Sequence, residues 1–289
     1  MGSSGNAVDE TTRGVDLEQG TTERKNLTYK KSKSMVVENT FLRECMAEIL
    51  GSFVLLLFGD GVVAQVVLSG NDAGSYLSIN LCWGIGVVFG IHAAGGISGA
   101  HLNPAVTTTM ALFGRLPAWK VPGYILSQVI GTFMAGLVVW AVYSPLLAEK
   151  DPNAETTMGI FCTFPYKNTP NMNCFLNEVV GSALLLGLIF ALADEYNKPA
   201  SPHSFPTAVG VLVGGIGMAF GVESGYAINP ARDFGPRVAA SFRYGSQVWT
   251  MNDYYFWVPL VAPIVGGAVG AGLYQLFVGI HHYSEEEAE

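Results

Sequence analysis

The sequence predicts an all-α membrane protein in which six transmembrane helices and two re-entrant half-helices form an inverted repeat. Three observations carry that expectation. Half of the 289 residues are hydrophobic and only 13% are charged, too few charges to solvate the surface of a globular domain. Six apolar runs are long enough to cross about 30 Å of hydrocarbon, and two shorter runs are not. The two halves of the chain also share short stretches of sequence in the same order.

The expected spans are Ala47–Leu68, Leu77–Ile97, Val121–Tyr143, Glu178–Asp194 with its flanks, Pro206–Val222 and Tyr255–Gly279. The short runs, Ala105–Phe113 and Ala231–Phe242, follow the second and fifth spans and read as half-helices. Residues 1–43 are polar and read as a disordered tail; residues 44–280 form one membrane domain, with repeats over about 44–145 and 174–280; residues 281–289 are an acidic tail.

Lys25, Lys30, Lys31, Lys33 and Arg43 crowd the approach to the first span, and Arg115 and Lys120 lie in the next connection on the same side. The positive-inside rule then places both termini in the cytoplasm, with Ser144–Asn173 and the stretch around Arg243–Asp253 outside. The cluster Lys25–Lys33 reads as a solvated tail. Docking on anionic lipid, or phosphorylation at Thr28, Tyr29, Ser32 or Ser34, is the alternative.

The net charge of −8 and the scattered lysines and arginines exclude nucleic acid as a partner. Cys45, Cys82, Cys162 and Cys174 lack CxxC spacing, so neither a metal nor another cofactor is expected. Whether Cys162 and Cys174 pair is open.

The repeat is explicit in the residues. Glu48-Ile-Leu-Gly51-Ser52 recurs as Glu178-Val-Val-Gly181-Ser182, and Ser98-Gly-Ala-His-Leu-Asn103-Pro104-Ala105 as Ser224-Gly-Tyr-Ala-Ile-Asn229-Pro230-Ala231. Three spans per half is an odd number, so the second copy enters the membrane from the opposite face. Gly131 and Gly136 match Gly267 and Gly272 in spacing, as expected where helix backbones pack closely.

Each Asn-Pro-Ala triplet is a helix start, because asparagine caps well and proline suits the first helical position. With each Oδ1 accepting an N–H of its own helix, the amide NH₂ groups of Asn103 and Asn229 are left to face the lumen. Broken helices at membrane depth are tolerated only where they are buried in protein or line a water-filled path. The positive ends of two helix dipoles meeting there attract oxygen lone pairs and oppose cations and protons.

These residues resemble the aquaporin superfamily of major intrinsic proteins. The stretches 98–106 and 225–237 resemble its aquaglyceroporin, or glycerol facilitator, branch in particular, and the resemblance covers about 44–280. It implies a right-handed bundle with one pore per subunit, assembled as a homotetramer in the plasma membrane. It further implies a passive channel for water and small neutral polyols, chiefly glycerol, without catalysis. Carried over residue by residue, the narrowest ring is Trp83, Gly217, Tyr226 and Arg232, and Asp233 is the marker of polyol-conducting members. Trp83 and Tyr226 form an apolar wedge for carbon, Arg232 donates to hydroxyls, and Gly217 is expected to leave room for the solute.

Glu48 and Glu178 are acids within apolar runs, where a charge needs partners. They read as a proton relay or as supports of the pore loops, and the resemblance implies support. His101 is a candidate gate. Asp60 departs from the family pattern and is expected to sit near the outer end, facing water or loop groups. A coupled secondary transporter shares the inverted-repeat signature and is the second functional class; a membrane adhesion protein is the third.

Overall fold

The computed structural model describes residues 36–282. Of these, residues 36–42 belong to one unit and residues 43–282 to another. The expected basic cluster and phosphorylation sites, and residues 283–289 of the acidic tail, lie outside the described residues.

Among the described residues, six helical segments are long and apolar enough to cross a membrane. They comprise α1 (Thr40–Leu68), α2 (Tyr76–Ser98), α4 (Val121–Lys150), α5 (Asn171–Leu192), α6 (Phe205–Ser224) and α9 (Val258–Phe277). The half-helices are α3 (Pro104–Leu112) and α7 (Pro230–Tyr244). A short helix, α8 (Gln247–Tyr254), precedes α9 and leaves helical geometry at Met251, Asn252 and Asp253.

Helix ends depart from the apolar runs where polar residues find partners. Helix α1 starts at Thr40, seven residues before the expected span and inside the expected tail, with Asn39 Oδ1 accepting the Leu42 N–H at 3.0 Å. Glu44, in that polar first part, is buried because Lys120 Nζ lies 2.7 Å from its carboxylate. Helix α4 runs to Lys150, through a segment expected to be loop. Pro145 has no N–H for the Ala141 carbonyl, and Ser144 Oγ donates to that carbonyl at 2.9 Å instead.

The repeat packs as an inverted pair, in a register one residue off the expected match. A side chain on Gly131 of α4 would meet the Ile49 backbone of α1, and one on Gly266 of α9 would meet the Val179 backbone of α5. Ile49 and Val179 each follow a repeat glutamate, so the partner of Gly131 is Gly266, not Gly267. Gly136 faces α7 at Pro236, and Gly267 faces α3 at Thr109, so each long helix supports the half-helix of the other repeat.

Candidate functional site

The site is built where α3 and α7 begin. Asn103 and Asn229 lie in extended backbone just before a proline at the first helical position. Asn103 Oδ1 accepts the Ala105 N–H at 2.8 Å; Asn229 Oδ1 accepts those of Ala231 at 3.0 Å and Arg232 at 3.2 Å. Each amide then crosses to the other repeat. Asn103 Nδ2 donates to the Ile228 carbonyl at 2.8 Å, and Asn229 Nδ2 to the Leu102 carbonyl at 2.8 Å. The half-helices therefore meet N-terminus to N-terminus. The expectation that both NH₂ groups face the lumen whole is corrected: one hydrogen of each is committed to the opposite loop.

The loops leading into these asparagines are bent in the same way. Ala100, Leu102, Tyr226 and Ile228 all have positive φ, a conformation that costs a side-chain-bearing residue about 1 kcal/mol or more. Two fully buried glutamates hold it. Glu48 accepts from Ser98 Oγ (2.6 Å), His101 N (2.9 Å), Leu102 N (2.7 Å) and Gln128 Nε2 (2.8 Å). Glu178 accepts from Ser224 Oγ, Ala227 N and Ile228 N, each at 2.7 Å. With the N–H groups tied back, the carbonyls of Gly99, Ala100, His101, Tyr226 and Ala227 accept no hydrogen bond among the described residues, and all five residues border the cavity.

That cavity has a volume of about 160 Å³. Its apolar lining comes from Leu55, Val87, Leu185, Ile189 and Val213, and its polar lining from the two loops, His101, Asn103, Asn229 and Arg232. His101 Nδ1 lies 3.2 Å from Thr107 Oγ1, and its ring centroid is 5.2 Å from that of Tyr124.

Of the four residues expected in the narrowest ring, the structure brings three to the lumen. Trp83, Tyr226 and Arg232 line the cavity, with the Arg232 guanidinium 4.2 Å from the Trp83 ring centroid. Gly217 does not line it. A side chain there would collide with Asn80 Oδ1 and the Tyr226 ring, so the room that the glycine leaves is filled by tyrosine.

Asp233 is fully buried and faces away from the cavity. Arg237 Nε lies 2.7 Å from its Oδ1 and Nη2 3.1 Å from its Oδ2, while Thr163 donates to Oδ2 from both N (2.8 Å) and Oγ1 (2.6 Å). The carboxylate thus ties the long connection 151–170 to α7. Asp60 is corrected outright: it is wholly buried, and its Oδ1 lies 3.7 Å from Arg232 Nη1. All four cysteines are free, so Cys162 and Cys174 do not pair. Burial pushes the Cys162 thiol up to about 12.

Gln128 and Arg237 are part of this architecture and carry no role in the sequence reading. Their signals are present: a lone amide inside the third apolar run, and a basic residue four positions after Asp233. Gly59 has no such signal; a side chain there would strike the Trp83 ring. Among the described residues no three His, Cys, Asp or Glu side chains gather as metal ligands.

Comparison with known proteins agrees with this geometry. The model of the major intrinsic protein family matches residues 35–274. Aquaglyceroporin-3 of Trypanosoma brucei brucei is 45% identical over 242 residues, covering 82% of this chain and 79% of its own. Probable aquaglyceroporin-2 of Gibberella zeae is 46% identical over 245 residues, covering 82% of this chain and 72% of its own. Among solved structures, the aquaglyceroporin from Plasmodium falciparum is similar with a TM-score of 0.77 at 31% identity, covering 82% of this chain and 97% of that one.

Proposed function

The chain belongs to the major intrinsic protein family and is an integral membrane protein, and on that footing we propose that it is a passive channel for water and small neutral polyols, chiefly glycerol. It is not an enzyme. The observation that carries the reading is the amphipathic cavity. One part of its lining is aliphatic and the other offers loop carbonyls, two asparagine amides and an arginine, which matches a solute with a carbon backbone and hydroxyls.

Asn103 and Asn229, with Pro104, Ala105, Pro230 and Ala231, form the central site, where converging helix dipoles refuse cations and protons. Trp83, Tyr226 and Arg232 form the selective constriction, and Gly217 acts by seating Tyr226. Glu48 and Glu178 are supports of the loops rather than a proton relay, since both oxygens of each already accept hydrogen bonds. Asp233 anchors the loop over α7, and His101 is the candidate gate. The reading extends to a homotetramer in the plasma membrane with cytoplasmic termini, supported by the resemblance and by the distribution of basic residues.

Purified protein in vesicles tests it. After shrinkage in an impermeant osmolyte, vesicles transferred to a glycerol gradient are expected to re-swell faster than empty ones; equal rates would sink the glycerol reading.

A further inference from the structure

We infer that Asp60 is a positioning residue for solute selection: from α1 it holds the Arg232 guanidinium back from the lumen and cancels its charge. The inference deepens the channel reading and rests on it.

Consider first what Asp60 lacks. Glu48, Glu178 and Asp233, equally buried acids, each collect at least three hydrogen-bond donors over both oxygens. Asp60 is just as buried, yet neither of its oxygens accepts a hydrogen bond among the described residues. Such a carboxylate holds no loop and caps no helix. Its nearest charge is Arg232 Nη1 at 3.7 Å, beyond hydrogen-bond length but strongly coupled in a low-dielectric setting.

The other charges nearby are already taken. Asp233 is engaged on both oxygens by Arg237, and Thr163 adds two further donors. Arg237 also donates to the Thr163 and Val248 carbonyls. Asp60 is therefore the countercharge of Arg232 among the described residues. Arg232 itself is in matching condition: its Nη1 is buried and donates no hydrogen bond, while the residue borders the cavity.

The consequence is geometric and electrostatic. Drawn toward α1, the guanidinium lies over the Trp83 ring, which is itself seated against the bare backbone of Gly59. The adjacent pair Gly59-Asp60 thus forms the back of the constriction, one residue accommodating Trp83 and the next retaining Arg232. A passing solute meets hydrogen-bond donors whose net charge is cancelled, which suits neutral hydroxyl-bearing molecules. Without Asp60 the guanidinium has no pull away from the lumen, and a larger solute loses more than water.

The test compares wild type, Asp60→Asn, Arg232→Ala and the double variant in vesicles, measuring glycerol and water permeability in each. Asp60→Asn is expected to keep most water flux while the glycerol-to-water ratio falls at least about threefold. In the Arg232→Ala background the same substitution is expected to leave the ratio unchanged, because Asp60 acts through Arg232. If Asp60→Asn alone cannot be reconstituted, recovery of the double variant is expected, since it removes both charges together. Loss of both variants, an equal loss of water and glycerol flux, or an unchanged ratio overturns the inference. Wild-type vesicles that carry no glycerol overturn the channel reading and the inference with it.

Discussion

The ring of Tyr226 fills the space that a side chain on Gly217 would need. Gly217 therefore sets the pore indirectly, by letting an aromatic residue from the second loop lie against α6. Gly217→Ala is expected to push the Tyr226 ring toward the lumen and to reduce glycerol flux more than water flux. The Gly217→Ala/Tyr226→Ala double variant is expected to recover glycerol flux, measured in vesicles; no recovery would mean that the ring is not what the alanine displaces.

Glu48 and Glu178 play equivalent parts with unequal numbers of partners. A glutamine at either place turns one acceptor oxygen into an NH₂ facing a backbone N–H, leaving buried donors unsatisfied at a cost of about 1–3 kcal/mol. Glu48→Gln is expected to lower the thermal midpoint more than Glu178→Gln, because each Glu48 oxygen serves two donors while Glu178 Oε2 serves Ile228 alone. Melting of the detergent-solubilised variants decides it, and equal shifts would count against the hydrogen-bond bookkeeping.

The Asp233–Arg237 pair is buried on both sides, so removing one charge strands the other. Asp233→Asn is expected to cost about 3–5 kcal/mol and to free the connection 151–170, read as faster proteolysis there. Unchanged proteolysis would separate Asp233 from the loop.

On the connection between α5 and α6, Asp194 Oδ2 accepts from the Tyr274 hydroxyl at 2.6 Å and lies 2.9 Å from His282 Nε2. The Tyr274 bond, opposed by partial burial and aided by His282 and the Tyr196 N–H, holds the Asp194 carboxyl below the usual carboxylate range. A depressed carboxyl stabilises the fold above its unfolded value, about 3.9, and that contribution is lost as pH falls through the lower folded value. Amide protection over 194–200, corrected for intrinsic exchange, is expected to persist from pH 7 to about 4 and to drop only below that. Loss between pH 7 and 5 would rule out this tie as what holds the connection.

Apolar run length located every span, because the hydrocarbon slab imposes it whatever the packing. Helix ends were less legible: the starts of α1 and α5 and the end of α4 carry residues such as Glu44, Asn173 and Lys150 that lower local hydropathy without breaking a helix. The asparagine starts could be read because capping is local. The cross-bonding of their amides could not, since Ile228 and Leu102 become their acceptors only once the repeats face each other. Asp60 was misplaced for the same reason. Its counterpart Arg232 is distant in sequence, and only the folded bundle brings them within 3.7 Å.

The most direct measurement follows glycerol and protons in the same vesicles. Wild-type protein reconstituted with a pH-sensitive dye inside is placed in a glycerol gradient, with and without an imposed proton gradient. Re-swelling faster than in empty vesicles, at one rate under both conditions and without dye response to glycerol entry, is the result expected of the pore. No re-swelling above empty vesicles, or re-swelling only when protons are driven, would contradict it.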